Sequence, residues 1–173
     1  MNRRTAFKNI VLVSGTLITL PLWMESCGIT DGNKHLSSFS LDEQGLLASS
    51  VDTIIPAKNN IGGISAGVDK YLQKLIDDCY ETPIQDNVKK QLRELNTSAN
   101  QHFGKSFENC TQQQRKDLLV KFSVSQDKEQ KTFFDLIKTE TIHGFNTSQK
   151  VMEGYFDYKV APGHYYGCIN VNS

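Results

Sequence analysis

An excess of charge of either sign is missing from this sequence, in which 19 Lys plus Arg face 19 Asp plus Glu over 173 residues. A general nucleic-acid coat is thereby excluded, because backbone phosphates are held by a surplus of cations. Cysteine is scarce, with four in the chain. None stands in a Cys-x-x-Cys or Cys-x-x-Cys-His spacing, so no zinc ribbon, dithiol redox pair or covalently attached haem is encoded. His35, His102, His143 and His164 stand singly, without the paired spacing and neighbouring glutamate of a hydrolytic zinc site. No apolar run approaches the roughly twenty residues that span a bilayer. Period-2 alternation is not sustained anywhere, which removes half-buried strands. Gly62-Gly63 with Gly67 is not a dinucleotide cradle, since that needs Gly-x-Gly-x-x-Gly between a strand and a helix. Internal repeats and low-complexity stretches are absent. With 38% hydrophobic and 22% charged residues, the composition is that of an ordinary globule.

The start of the chain reads as an export signal over residues 1–26. Arg3 and Arg4, with Phe7 and Lys8 behind them, precede a weakly apolar stretch from Ile10 to Met24. A basic start and a short apolar run describe a signal peptide, and the arginine pair resembles a twin-arginine signal, which serves export of folded proteins. Ordinary Sec export is the alternative. Met24-Glu25-Ser26-Cys27 places a small residue before a cysteine, as in a bacterial lipoprotein cleavage site, with Met24 and Glu25 departing from the usual residues. Two acyl chains on Cys27 would give stable anchoring; the plain reading is a chance cysteine in a linker. Residues 27–39, rich in Gly, Ser, Asn and Asp, read as a tether. The rest of the chain is long enough for one domain burying about 70% of its unfolded surface.

Residues 40–173 are expected to form an all-α domain of five to six helices with an irregular aromatic tail. Ser40 and Glu43 make a capping box for a helix whose apolar face is Leu47, Val51, Ile54 and Ile55, ended by Pro56. After a loop loosened by Gly62, Gly63 and Gly67, Val68, Tyr71, Leu72, Leu75, Ile76 and Cys79 fall on one helical face. Thr82 as N-cap, Pro83 in the first turn and Gln85 as the box partner open a third helix through Val88, Leu92, Leu95 and Ala99, closed by Gly104. Thr111 and Gln114 open a fourth with Leu118, Leu119 and Phe122. A fifth, from about Lys128 to His143, presents Phe133, Phe134, Leu136, Ile137 and Thr141 and stops at Gly144. A short helix with Val151, Met152, Tyr155 and Phe156 leads into the tail.

Little in this domain announces chemistry. Asp77, Asp78 and Glu81 gather at a helix end, where they read as solvated carboxylates with a metal role as the alternative. The sequons at Asn96, Asn109 and Asn146 are decoys, since the signal is bacterial. The tail is the least bland segment: Tyr155, Phe156, Tyr158, Tyr165, Tyr166 and Cys168 stand among Pro162, Gly163 and Gly167. Such aromatics either pack on their own helices or anchor a partner. If Cys27 is acylated, Cys79, Cys110 and Cys168 remain, an odd number for an oxidising compartment. Cys79, on an apolar face, is expected buried and inert. Cys168 is the thiol placed to bond across an interface, to tie back to Cys79 or Cys110, or to stay free among its tyrosines.

Taken in order, Thr53-Ile54-Ile55-Pro56, Gly67-Val68-Asp69-Lys70-Tyr71, Cys79-Tyr80, Phe133-Phe134 with Leu136-Ile137-Lys138 and Thr141, Gly144-Phe145, Gly154-Tyr155-Phe156 and Pro162-Gly163-His164-Tyr165 with Gly167-Cys168 resemble the gluconate 2-dehydrogenase subunit 3 family. The resemblance covers nearly everything after Phe39. It implies a non-catalytic subunit, itself without cofactor, of a membrane-associated sugar or polyol dehydrogenase in the periplasm of a Gram-negative bacterium. Its implied partners are a flavoprotein of the glucose-methanol-choline type, which holds FAD, and a cytochrome c subunit with haem c. The small subunit would stabilise the flavoprotein and assist its export. The competing expectation is a stand-alone helical envelope lipoprotein acting as a binding module.

Overall fold

The computed structural model describes residues 36–156, 158, 159 and 163. Among them are six α-helices: α1 Leu41–Ile54, α2 Val68–Cys79, α3 Thr82–Phe103, α4 Gln112–Ser123, α5 Lys128–Thr147 and α6 Gln149–Tyr155, with a 3-10 turn at Phe107–Asn109 between α3 and α4. The all-α expectation holds. Its only β-type pairing among the described residues is an isolated antiparallel bridge between Lys58 and Ile61. Asn59 and Asn60 close that bridge at φ 51° and 64°. Asparagine tolerates this left-handed region better than most residues, which is why a two-residue reversal forms here without glycine.

Two capping boxes expected from the sequence are present. The Ser40 hydroxyl accepts from the Glu43 N–H while the Glu43 carboxylate accepts from the Ser40 N–H. Thr111 and Gln114 exchange the same pair of bonds at the start of α4. The third box does not form. Glu81 is the N-cap of α3, Thr82 already lies inside the helix, and Gln85 turns backward instead. Its Nε2 donates to the Asp77 and Tyr80 carbonyls at 3.1 and 2.8 Å. Those carbonyls lie at the C-terminal end of α2, where a helix leaves acceptors unsatisfied, so Gln85 ties the end of one helix to the start of the next.

α1 and α5 are the two hubs, each packing against α2, α3 and α4 and against one another. Between them lies a core of wholly buried Leu47, Val51, Leu72, Ile76, Leu92, Leu95 and Phe133. Phe122 meets Phe133 edge to face at 6.1 Å between centroids, a favoured aromatic geometry. Phe107 is wholly buried as well. Asn96 fixes it there, its Oδ1 accepting the Phe107 N–H at 2.9 Å.

The glycines correct two expectations. Gly144 does not end α5, which runs on to Thr147. A Cβ there would lie 2.5 Å from Cδ1 of Tyr71, so Gly144 lets the α2 ring lie directly on the α5 backbone. Gly63 likewise packs against Val51, where a Cβ would come within 2.5 Å of Cγ1. The loop after α1 is therefore pressed onto the helix it leaves, rather than loosened. Gly104 does close α3, with φ 64° and its N–H donating to the Asn100 carbonyl.

The expected tether and the export signal lie outside the described residues, except at the tether's end. Phe39 is 3% exposed and belongs to the core, with the Lys89 ammonium 5.3 Å from its ring centroid. Both the N–H and the hydroxyl of Ser38 donate to the Asp77 carboxylate. Asp77 is thus an anchor for the segment entering α1.

Candidate partner-docking face

The end of α1 organises an exposed apolar face. Pro56 cannot continue a helix, and no basic residue stands in the last turn to satisfy its carbonyls. Gln112 of α4 does so from across the domain, its Nε2 donating to the Asp52 and Thr53 carbonyls at 3.1 and 3.3 Å. Arg115, one turn along α4, pairs with the Asp52 carboxylate at 2.6 Å and donates to the Gln112 side-chain oxygen. Its side chain is 13% exposed, and this sheltering makes the pair firmer than a fully exposed one. The result is a rigid junction of α1 with α4, with Pro56 at the surface.

Two grooves meet at Pro56. One, of about 240 Å³, runs between the loop after α1 and the α5–α6 junction, with Ile55, Ile61, Phe145, Val151, Tyr155 and Phe156 among its walls. The Ser148 hydroxyl turns the chain into α6 by donating to the Phe145 carbonyl at 2.8 Å, and Val151 is buried at 3%. Beyond it the aromatics emerge: Tyr155 and Phe156 are 66% exposed and Tyr158 is 51% exposed. The second groove, of about 460 Å³, lies between the end of α1, α4 and α5. Ile54, Pro56, Leu119, Val120 and Phe134 give it an apolar lining, and Lys116 and Lys138 stand at its rim.

A third region gathers titratable groups but holds them quiet. Tyr80 donates its hydroxyl to Glu140 at 3.2 Å, and Glu140 also faces His143 Nδ1 at 3.6 Å. Burial pushes the Tyr71 and Tyr80 hydroxyls above the ordinary tyrosine range, and the nearby Glu140 carboxylate adds to both shifts. These phenols stay protonated, and the Tyr80 hydroxyl serves as a donor joining the end of α2 to α5 rather than as a base. Among the described residues no group of three His, Cys, Asp or Glu is placed to hold a metal ion.

Of the residues the sequence marks for function, the structure brings Tyr155 and Phe156 together at a groove and leaves Tyr158 exposed just beyond. Tyr165, Tyr166, Cys168, Arg3, Arg4 and Cys27 lie outside the described residues. Cys79, expected to be buried, is exposed, and Cys110 is the buried thiol. Cys79 sits at the last turn of α2, beyond the part of its apolar face that neighbours cover. The groove of Lys116 and Lys138 was not foreseen. Its trace in the sequence is Val120, an apolar residue beside the buried Leu118, Leu119 and Phe122 and itself 48% exposed.

Many of the residues that carry the family resemblance converge on this face or support it. Pro56 lines both grooves, Ile54, Phe134 and Lys138 line one, Ile55, Phe145, Tyr155 and Phe156 line the other, and Gly144 receives Tyr71. No curated protein and no solved structure matches the chain. The model of a family described as gluconate 2-dehydrogenase subunit 3 matches residues 42–163, a span that runs from the first turn of α1 through α6 and includes Tyr155, Phe156 and Tyr158. The chain belongs to the gluconate 2-dehydrogenase subunit 3 family.

Proposed function

We propose that this chain is the non-catalytic small subunit of a gluconate 2-dehydrogenase-type complex, in which it binds, stabilises and helps export an FAD-containing flavoprotein of the glucose-methanol-choline type. Membership of the family supports an accessory subunit of a dehydrogenase complex. The observation that carries the docking role is the cluster of exposed Tyr155, Phe156 and Tyr158 beside an apolar groove. Exposed rigid aromatics next to a concave apolar surface are the make-up of an interface hot spot. In this reading FAD and the haem c of a cytochrome subunit belong to the partners. Arg3 and Arg4 direct folded cargo out of the cytoplasm, and acylated Cys27 holds the complex at the periplasmic membrane face.

The test is co-expression of the chain with a flavoprotein dehydrogenase of the glucose-methanol-choline type. The flavoprotein should co-purify with the wild-type chain, and Tyr155→Ala with Phe156→Ala should weaken the complex by roughly 2 kcal/mol or more, the loss expected of hot-spot aromatics. Replacing Arg3 and Arg4 by Lys should leave dehydrogenase activity in the cytoplasm. A wild-type chain that is exported alone, with no flavoprotein bound before or after export, overturns the subunit reading in favour of a stand-alone envelope protein.

A further inference from the structure

We propose that the groove between the end of α1, α4 and α5 seats an acidic amphipathic helix supplied by the partner subunit. This deepens the accessory-subunit reading by naming a second contact and its chemistry. Shape is the first argument. The groove is a trough of about 460 Å³ walled by two helices, with Pro56 in its lining. Its apolar wall residues, Leu119, Val120 and Phe134, accept side chains spaced i, i+3 and i+4 along a helix.

Charge is the second argument, and it selects the occupant. Lys116 on α4 and Lys138 on α5 face the trough from opposite walls, and no carboxylate lines it. Neither lysine has an ion pair among the described residues, and the acids of α1 and α4 beside the trough have partners of their own. Asp52 pairs with Arg115 at 2.6 Å, and Asp117 accepts from the Gln113 amide at 2.8 Å. The Asp52 and Thr53 carbonyls at the C-terminal end of α1, which would otherwise turn negative charge toward the trough, accept from Gln112. Lys138 lies over the Phe134 ring at 5.7 Å, so its ammonium is held close to the apolar wall. An apolar trough with a positive, unneutralised rim complements a helix whose apolar stripe is flanked by Asp and Glu. The junction of Arg115, Asp52 and Gln112 keeps the trough open in advance, which lowers the ordering cost of binding.

The experiment titrates the full-length chain with three fluorescein-labelled helical peptides of about 18 residues, or five turns. All three share one leucine stripe, flanked by Glu, Gln or Lys. Binding should rank Glu over Gln over Lys, with about tenfold or more between the extremes, and the ranking should shrink at about 1 M salt, where the screening length is about 3 Å. Lys116→Glu with Lys138→Glu should abolish or invert the ranking, and Val120→Asp should weaken all three peptides. Circular dichroism confirms the fold of each variant, since all three positions are exposed. Equal binding of the three peptides, a ranking that survives the double charge reversal, or a chain that dimerises through this groove and loses its dimer in Val120→Asp would each overturn the proposal. Co-purification separates it from the broader reading. If the flavoprotein binds wild type and charge-reversed chain alike, the groove proposal falls and the subunit reading stands. If the wild-type chain binds no flavoprotein, the subunit reading falls, and the peptide ranking still decides the groove.

Discussion

A thiol reacts as its thiolate, and access decides which thiol a reagent reaches. Cys79 is exposed at the end of α2, whereas Cys110 is 6% exposed beneath the start of α4. In a chain with Cys27 and Cys168 replaced by Ser, a colourimetric thiol reagent should label one group rapidly in the native state and the second only on unfolding, and Cys79→Ser should abolish the rapid phase. Tyr80 makes a residue-scale prediction about pH. Burial, and then Glu140, raises its folded pKa above the unfolded value near 10. The folded state therefore holds the proton more tightly, so this contribution to stability is complete below about pH 10 and is lost as pH rises through the folded pKa. Tyr71 adds to the same decline. Thermal melts should fall in temperature above about pH 10, and Tyr80→Phe should flatten that decline while costing about 1 kcal/mol at neutral pH for the lost bond to Glu140.

At the scale of an element, a residue's neighbours in sequence specify that a helix starts, but not always which residue caps it. Thr82, Pro83 and Gln85 have the spacing of a capping box, yet Glu81 takes the N-cap and Gln85 satisfies carbonyls at the end of α2. Gln85→Ala should therefore cost about 1 kcal/mol, while Thr82→Ala should be nearly neutral, as chemical denaturation of the two variants would show. A true box would make the two losses similar. Glycine was legible as punctuation only where φ is positive, as at Gly104. Two helical glycines separate the other causes. Gly144→Ala drives a methyl into the Tyr71 ring, an overpacking cost of about 1–3 kcal/mol set against a helix-propensity gain of about 1 kcal/mol. Gly45→Ala meets only the carboxylate end of the flexible Glu108 side chain, so there the propensity gain should win. Melting temperature should drop for the first variant and rise for the second.

At the scale of the whole molecule, the folded unit reaches back past the first helix to Phe39, which the composition of residues 27–39 assigns to a tether. A single aromatic among polar residues gives no periodic signal, and its burial depends on a pocket made by distant elements. Phe39→Ala should destabilise the domain by about 3 kcal/mol, measured by denaturant unfolding; a surface tether would lose almost nothing. The docking face has the same origin. Ile54, Leu119 and Phe134 come from three helices far apart in sequence and meet only because α1, α4 and α5 pack together. The sequence by itself determined the all-α class, the cores of the helical faces, two of the capping boxes and the short last helix that carries aromatics at its end, because hydrophobic period and cap chemistry act within a few residues of chain. Tertiary structure alone decided how far each face is covered, and so which cysteine is open, which glycine is a contact and where two lysines frame an apolar trough. Helical phase is a local property, whereas coverage depends on where a neighbouring helix crosses.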